Sequence, residues 1–130
     1  MLANDPLGAK RENPGDPAYL RAFEEIDADP NQLLVVAESG AEIIATMQLS
    51  FVPGLSRRGM TRCQIEAVRV RDDQRGSGTG EAMIRWAIAR AKERGCGLVQ
   101  LTTDASREGA RRFYERIGFE PSHVGMKLAL

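Results

Sequence analysis

Ile65-Glu66-Ala67-Val68-Arg69-Val70-Arg71-Asp72-Asp73-Gln74-Arg75-Gly76-Ser77-Gly78-Thr79-Gly80-Glu81 reads as a strand, a short polar link, a glycine-rich turn and the opening of a helix that runs from about Gly80 to Arg94. Gly76, Gly78 and Gly80 alternate with other residues, so backbone amides can come close to a ligand. The first turn of the helix aims its own unbonded N–H groups at the same spot. Such a junction suits a phosphate. A P-loop would need Lys and then Ser or Thr after its last glycine, but Gly80 is followed by Glu81-Ala82-Met83. A dinucleotide fingerprint would need a third glycine where Glu81 stands. Both readings are disfavoured, while a turn that merely joins strand to helix stays open on this stretch alone.

The flanks extend the pattern. Met83, Ile84, Ala87, Ile88 and Ala91 give the helix one apolar face, Gly95 ends it, and Leu98-Val99-Gln100-Leu101-Thr102-Thr103 follows as a strand. Strand, helix and strand with such short links make a βαβ unit, so the two strands are expected to be parallel, with the glycine turn at the carboxyl end of the first. Open sheets bind ligands at that end. Upstream, Leu33–Ala37 and Ile43–Leu49 flank Ser39-Gly40 and predict a hairpin. The next strand runs from about Met60 to Val70, and its alternation falters at Ala67 and Val68, which predicts a bulge. Before the hairpin, Tyr19, Leu20, Phe23 and Ile26 recur at helical spacing over 17–28, with Asp16 as N-cap. Residues 1–16 form an irregular segment broken by Pro6, Gly8, Pro14 and Gly15. Downstream, Ser106 is the expected cap of a helix whose stripe is Ala110, Phe113, Tyr114 and Ile117, and Gly118 stops it. Residues 119–121 and the strongly alternating 123–130 are expected to finish the chain as strands.

At 130 residues and 14.3 kDa the chain has the size of one domain, 17–130, behind that irregular segment. Eighteen Lys and Arg balance eighteen Asp and Glu, so no global field draws it to nucleic acid or to an anionic membrane. Cys63, Cys96 and His123 lie too far apart for a zinc-ligand pattern, and neither a metal nor a disulfide is expected. With no signal-like or membrane-spanning apolar run, the expected location is cytoplasmic.

Arg75-Gly76-Ser77-Gly78-Thr79-Gly80 is an Arg-x-x-Gly-x-Gly motif, and with it the sequence resembles the Gcn5-related N-acetyltransferase (GNAT) family, which binds the pyrophosphate of acetyl-coenzyme A with this pattern. Ala110 to Phe119, ending in Tyr114-x-x-x-Gly118-Phe119, looks like the family's second signature, and the order of elements from 17 to 130 also agrees. The resemblance implies an α/β (α+β) fold of bacterial type: a mixed, mostly antiparallel sheet around a central parallel βαβ unit. The chain has no room for the family's first strand before Asp16. Either the start is assigned too late, or a partner or the terminal segment covers the exposed edge; a homodimer is one such arrangement.

As implied by the resemblance, backbone groups of Val68 and Val70 hold the pantetheine arm, and Arg75, Gly76, Ser77, Gly78, Thr79 and Gly80 hold the pyrophosphate. Arg69, Glu81, Arg107, Ala110 and Phe113 complete the coenzyme site, although Arg107 stands where the family often has Asn and can equally face water. Tyr114 is the general acid for the leaving thiolate, or else one more member of the apolar stripe. The base is Glu66 or a water chain; Glu66 shares the face of Val68 unless the bulge intervenes. The implied activity is transfer of an acetyl group from acetyl-coenzyme A to a primary amine of a small molecule, by direct attack in a ternary complex. Protein lysine or N-terminal acetylation, and a non-catalytic acyl-coenzyme A-binding module, are the alternatives.

Overall fold

The structure, a computed structural model, describes residues 1–4, 8–10 and 12–130. Of the breakers expected near the start, Pro6 lies outside the described residues. The 3-10 turns Leu2–Asn4 and Gly8–Lys10 are the first local structure, and helix α1 follows at Ala18–Ala28. The boundary residue of α1 is Pro17, without a side-chain cap, and not the expected Asp16, which lies one residue earlier and accepts from the Ala18 amide through Oδ1 at 2.8 Å.

Four strands make one sheet in the order β1-β2-β3-β4: Gln32–Ser39, Glu42–Val52, Arg62–Val70 and Leu98–Leu101. The first two form the predicted hairpin, turning at Gly40 (φ 61°). The strand β3 pairs antiparallel with β2 and parallel with β4, and helix α2 (Thr79–Glu93) supplies the crossover between β3 and β4. The parallel unit therefore lies at an edge of the sheet, not at its centre. The apolar face of α2, namely Met83, Ile84, Ala87 and Ala91, is buried with Met47, Leu49, Phe51, Cys63 and Ile65 of the sheet. Burial of side chains the size of Met47, Leu49, Ile65 and Ile84 is worth about 1.5–3 kcal/mol each.

Between β2 and β3 the chain makes a left-handed turn, with Arg57 at φ 52°, Arg58 at φ 60° and Gly59 at φ 76°. Helix α3, Glu108–Ile117, carries the predicted i,i+4 pairs Arg112–Glu108 and Arg111–Glu115 and stops at Gly118 (φ 109°). Ser106 does not cap it. Its hydroxyl donates instead to Asp104 Oδ1 at 2.6 Å, and Arg107 occupies the boundary position without a side-chain cap.

The expected strands at 119–121 and 123–130 are not formed. A strand needs a neighbour, and no strand of this chain pairs with them among the described residues. Among those residues no helix is long and apolar enough to cross a membrane.

Candidate active site

The bulge expected at Ala67 is present and organises everything around it. Ala67 has φ +52°, and the β2–β3 register slips there, from Gln48↔Glu66 to Thr46↔Arg69. One extra residue on β3 shifts the parity of the strand. Cys63 and Ile65 point into the core before it, whereas Val68 and Val70 pack against the core after it. Glu66 therefore does not share a face with Val68, contrary to the simple spacing: it is exposed, on the side away from α2.

The parallel pairing ends where this happens. The β3–β4 ladder runs from Arg62↔Leu98 to Ile65↔Leu101 and stops, although β3 continues to Val70 along β2. Beyond Ile65 the two strands part, and a cleft of about 70 Å³ opens between them. Glu66, Ala67, Val68 and Arg69 form one wall, Leu101, Thr102 and Thr103 the other, and Arg107 and Tyr114 border it. Arg69 Nη1 donates to the Val68 carbonyl at 2.8 Å, which occupies one of the backbone groups expected to meet a pantetheine arm.

Tyr114 is largely withdrawn from solvent between Phe113 and Phe119, with ring centroids 5.1 and 5.9 Å away in edge-on contact. Burial pushes its phenol above the ordinary value, and the nearby charges of Arg107 and Arg69 pull part of the way back. The phenol is thus a protonated donor at neutral pH. Thr103 was not singled out from the sequence, yet its Oγ1 is buried with no hydrogen-bond partner among the described residues. The signal available was positional: a threonine pair directly after an apolar strand, at the carboxyl end where open sheets bind ligands. Beyond it, the Asp104 carboxyl is held below its usual range, chiefly by the Ser106 hydroxyl and amide and to a smaller degree by the charges of Lys127 and Arg107.

The glycine turn adjoins this cleft at the end of β3. Gly76 (φ 79°) and Gly78 (φ 88°) hold left-handed backbone, and Gly78 is the boundary residue of α2. Ala82 N–H donates to the Gly78 carbonyl at 3.0 Å, and the Thr79 N–H at the start of the helix donates to Ser77 Oγ at 3.4 Å. The turn is fixed from within: Ser77 Oγ donates to the Gln74 carbonyl at 2.6 Å and lies 2.8 Å from Thr79 Oγ1. Arg75 pairs with Asp72 at 2.6 Å, and Glu81 with Arg85 at 2.7 Å. Gly80 backs onto Phe113 and Val70, each 3.6 Å from where a Cβ would sit, and so ties the turn to α3. Ala110, one turn before Phe113 and Tyr114, is partly buried. A second hollow, of about 290 Å³, is lined by Met1, Asn4 and Val70–Asp73. Its ionic groups are committed, since Arg71 is locked to Glu42 at 2.9 Å and to Asp73 at 2.6 Å.

Neither cysteine is an activated nucleophile. Cys63 is buried, and burial pushes its thiol up to about 11; Cys96 is raised for the same reason. Among the described residues no group of three or more His, Cys, Asp or Glu could hold a metal ion.

Comparison with known proteins adds the following. The acetyltransferase (GNAT) family matches residues 2–119, and so reaches into the segment that the sequence reading left outside the domain. A crystal structure described as a transcriptional regulator from Bacillus halodurans is 50% identical, with a TM-score of 0.97 over 100% of this chain and 89% of that one. The aminoalkylphosphonate N-acetyltransferase of Salmonella typhimurium is 29% identical over 113 residues, 87% of this chain and 73% of that protein. An uncharacterised N-acetyltransferase of Methanocaldococcus jannaschii is 43% identical over 61 residues, so the match spans 47% of this chain and only 27% of that relative.

Proposed function

The chain belongs to the acetyltransferase (GNAT) family, acyltransferases whose co-substrate is acetyl-coenzyme A, and from that premise we propose that it acetylates the primary amine of a small metabolite by direct attack in a ternary complex. The observation that carries this reading is the parting of β3 and β4 beyond Ile65↔Leu101, with the partly buried Tyr114 phenol at the border of the gap and the glycine turn beside it. A thioester lying in the gap meets the unladdered backbone of residues 66–70, and its pyrophosphate meets the amides of Gly76 to Glu81 and the guanidinium of Arg75. Glu81 contributes through its main chain, because its carboxylate is engaged by Arg85.

In the proposed reaction the amine nitrogen attacks the acetyl carbon, the C–N bond forms and the C–S bond breaks. Tyr114 gives its proton to the departing thiolate. A primary alkyl amine with a pKa near ~10.4 is mostly protonated at neutral pH, so a base must take its proton. Glu66 is on the cleft wall and is the base in this reading, with a water chain as the alternative. Its displacement to the face opposite Val68 sets it on the acceptor's side rather than against the pantetheine arm. Attack through an acetyl-cysteine is disfavoured by the buried, raised thiol of Cys63.

The acceptor class is a short amine carrying an anionic group. The support is the printed substrate of the Salmonella relative and the presence of Arg69 and Arg107 at the cleft. A cytoplasmic location is part of the same proposal. The test is thiol release from acetyl-coenzyme A with aminoalkylphosphonates, other small amines and a lysine peptide. Turnover with the small amines is the expected result. Turnover with the peptide alone would transfer the reading to protein acetylation, and coenzyme binding without any release would leave a binding module.

A further inference from the structure

We propose that Gln48 decides which amine the site accepts, selecting one that carries a hydroxyl on the carbon next to the amine-bearing carbon. The inference rests on the reading of Glu66 as the base and concerns what binds beside it. Its origin is a difference between the two faces of the sheet. Leu33, Leu49, Ile65 and Leu101 form a row across all four strands on the face that packs against α2. One residue along each strand, the opposite face carries the row Gln32, Ser50, Gln64 and Gln100. On that same face Leu34, Gln48 and Glu66 make the next row, and Val36, Thr46 and Arg69 the one after it, past the bulge.

The polar side chains of this face hold one another. Four of the chain's five glutamines stand on it, each half-buried. Gln48 Nε2 donates to Gln32 Oε1 at 3.0 Å, Ser50 Oγ donates to the same oxygen at 2.7 Å, and Gln100 Nε2 donates to Gln64 Oε1 at 2.6 Å. Bonds between side chains are the minority class in proteins, and together these fix the orientation of the amides. Orientation decides what is left for a ligand. Gln48 has given an N–H to Gln32, and among the described residues nothing donates to its Oε1. Two acceptors thus stand side by side and divide the ligand between them. The carboxylate of Glu66 takes the amine, since charge-assisted bonds are the stronger ones, and the neutral oxygen of Gln48 takes a hydroxyl.

Distance limits how far apart the two groups of the ligand can be. Gln48 and Glu66 are direct cross-strand partners with side chains of equal length, so their heads lie about 5 Å apart. A hydrogen bond of about 2.8 Å at each head leaves room for an amine and a hydroxyl on adjacent carbons, and not for a longer spacer. Gln64 stands two residues back along β3, about 7 Å from Glu66, and is out of reach of the same hydroxyl. Arg69 follows in the next row, on the side where the anionic group of the proposed acceptor is placed. Loss of the Gln48 amide leaves Gln32 its bond to Ser50, so a substitution there orphans no neighbour.

Calorimetric titration of the full chain in the presence of coenzyme A measures acceptor binding without any acetyl transfer. The probes are aminoethylphosphonate and its analogue with a hydroxyl on the carbon next to the amine-bearing one. One enantiomer of the hydroxylated amine is expected to bind about three- to tenfold more tightly, the share of one hydrogen bond. Gln48→Met is expected to bring the two amines to within about twofold of each other, with coenzyme A affinity also within about twofold of the unmodified chain. If that variant loses its circular dichroism, Gln48→Leu reads the same ratio. Equal binding of both amines by the unmodified chain, binding of neither, or a preference that survives the loss of the amide would overturn the inference. Thiol release from acetyl-coenzyme A with the same pair separates it from the proposed reaction. A preference that Gln48→Met removes, without thiol release from either amine, would sink the reaction and leave the assignment of Gln48 standing.

Discussion

Ala67 carries a cost that its position explains. A left-handed backbone at a residue with a Cβ is disfavoured by about 1–2 kcal/mol, and here it sits at the point where β3 leaves β4 and gains its extra residue. Ala67→Gly is expected to raise stability by up to ~1 kcal/mol, less whatever the glycine adds to the entropy of the unfolded chain. Ala67→Val is expected to lower it by more than ~1 kcal/mol, and urea midpoints measure both. The faltering alternation at 67 and 68 was legible in the sequence, but the side on which Glu66 would fall was not. That depends on the sign of one backbone angle, which residue type does not dictate for alanine. Tyr114 makes a second prediction at this scale. Its phenol is partly buried and protonated, so Tyr114→Phe is expected to lower turnover by roughly 10²-fold while leaving coenzyme affinity within about twofold; equal turnover would reduce the tyrosine to a packing residue.

Cys63 offers a test through pH. Its folded thiol titrates at about 11 because it is buried, whereas an unfolded cysteine titrates near ~8.5. The folded value is the raised one, so the stability it protects is fully present below the unfolded value and is lost as pH climbs toward the folded value. Unfolding free energy is therefore expected to fall between roughly pH 8.5 and 11, by on the order of 3 kcal/mol from this group. Urea titrations at pH 8 and pH 10.5 on the unmodified chain and on Cys63→Ala isolate that share, the variant losing less.

At the scale of elements, the glycine turn and its helix were legible because they rest on local chemistry: left-handed glycines, a helix start and an apolar face at period 3.6. Gly78, at φ 88° with open space around a notional Cβ, is constrained by backbone angle and not by crowding. Gly78→Val is thus expected to cost about 1–2 kcal/mol of stability and, by turning the helix-start amides from the pyrophosphate, to weaken acetyl-coenzyme A about tenfold or more in calorimetric titration. The C-terminal arm was legible only in its pattern. Alternation says that a segment can be a strand, but which edge it joins is decided by distant parts of this chain or another copy. Ser106 shows the same limit within a few residues. A serine before a helix is a fair cap, yet here Asp104 takes its hydroxyl.

Taken as a whole, the molecule brings together residues far apart in sequence: Glu66 to Arg69 on β3, Thr103 after β4, and Tyr114 on α3 meet only because the parallel ladder ends at Ile65↔Leu101. The two motifs were readable separately, at Arg75–Gly80 and Tyr114–Phe119, and Thr103 was missed because no motif contains it. What the separate motifs could not specify was the gap itself, which is a property of the sheet. Acetyl-coenzyme A is proposed to enter this gap and give its acetyl group to a small amine. The most direct measurement is the release of coenzyme A thiol, followed with mass detection of the acetylated amine, over a panel headed by aminoalkylphosphonates. Thiol and acetylated amine are expected in equal amounts, with both released about tenfold or more slowly by the Gly78→Val variant at subsaturating acetyl-coenzyme A. Thiol release that needs no amine, or an unchanged rate in that variant at subsaturating acetyl-coenzyme A, rules this out.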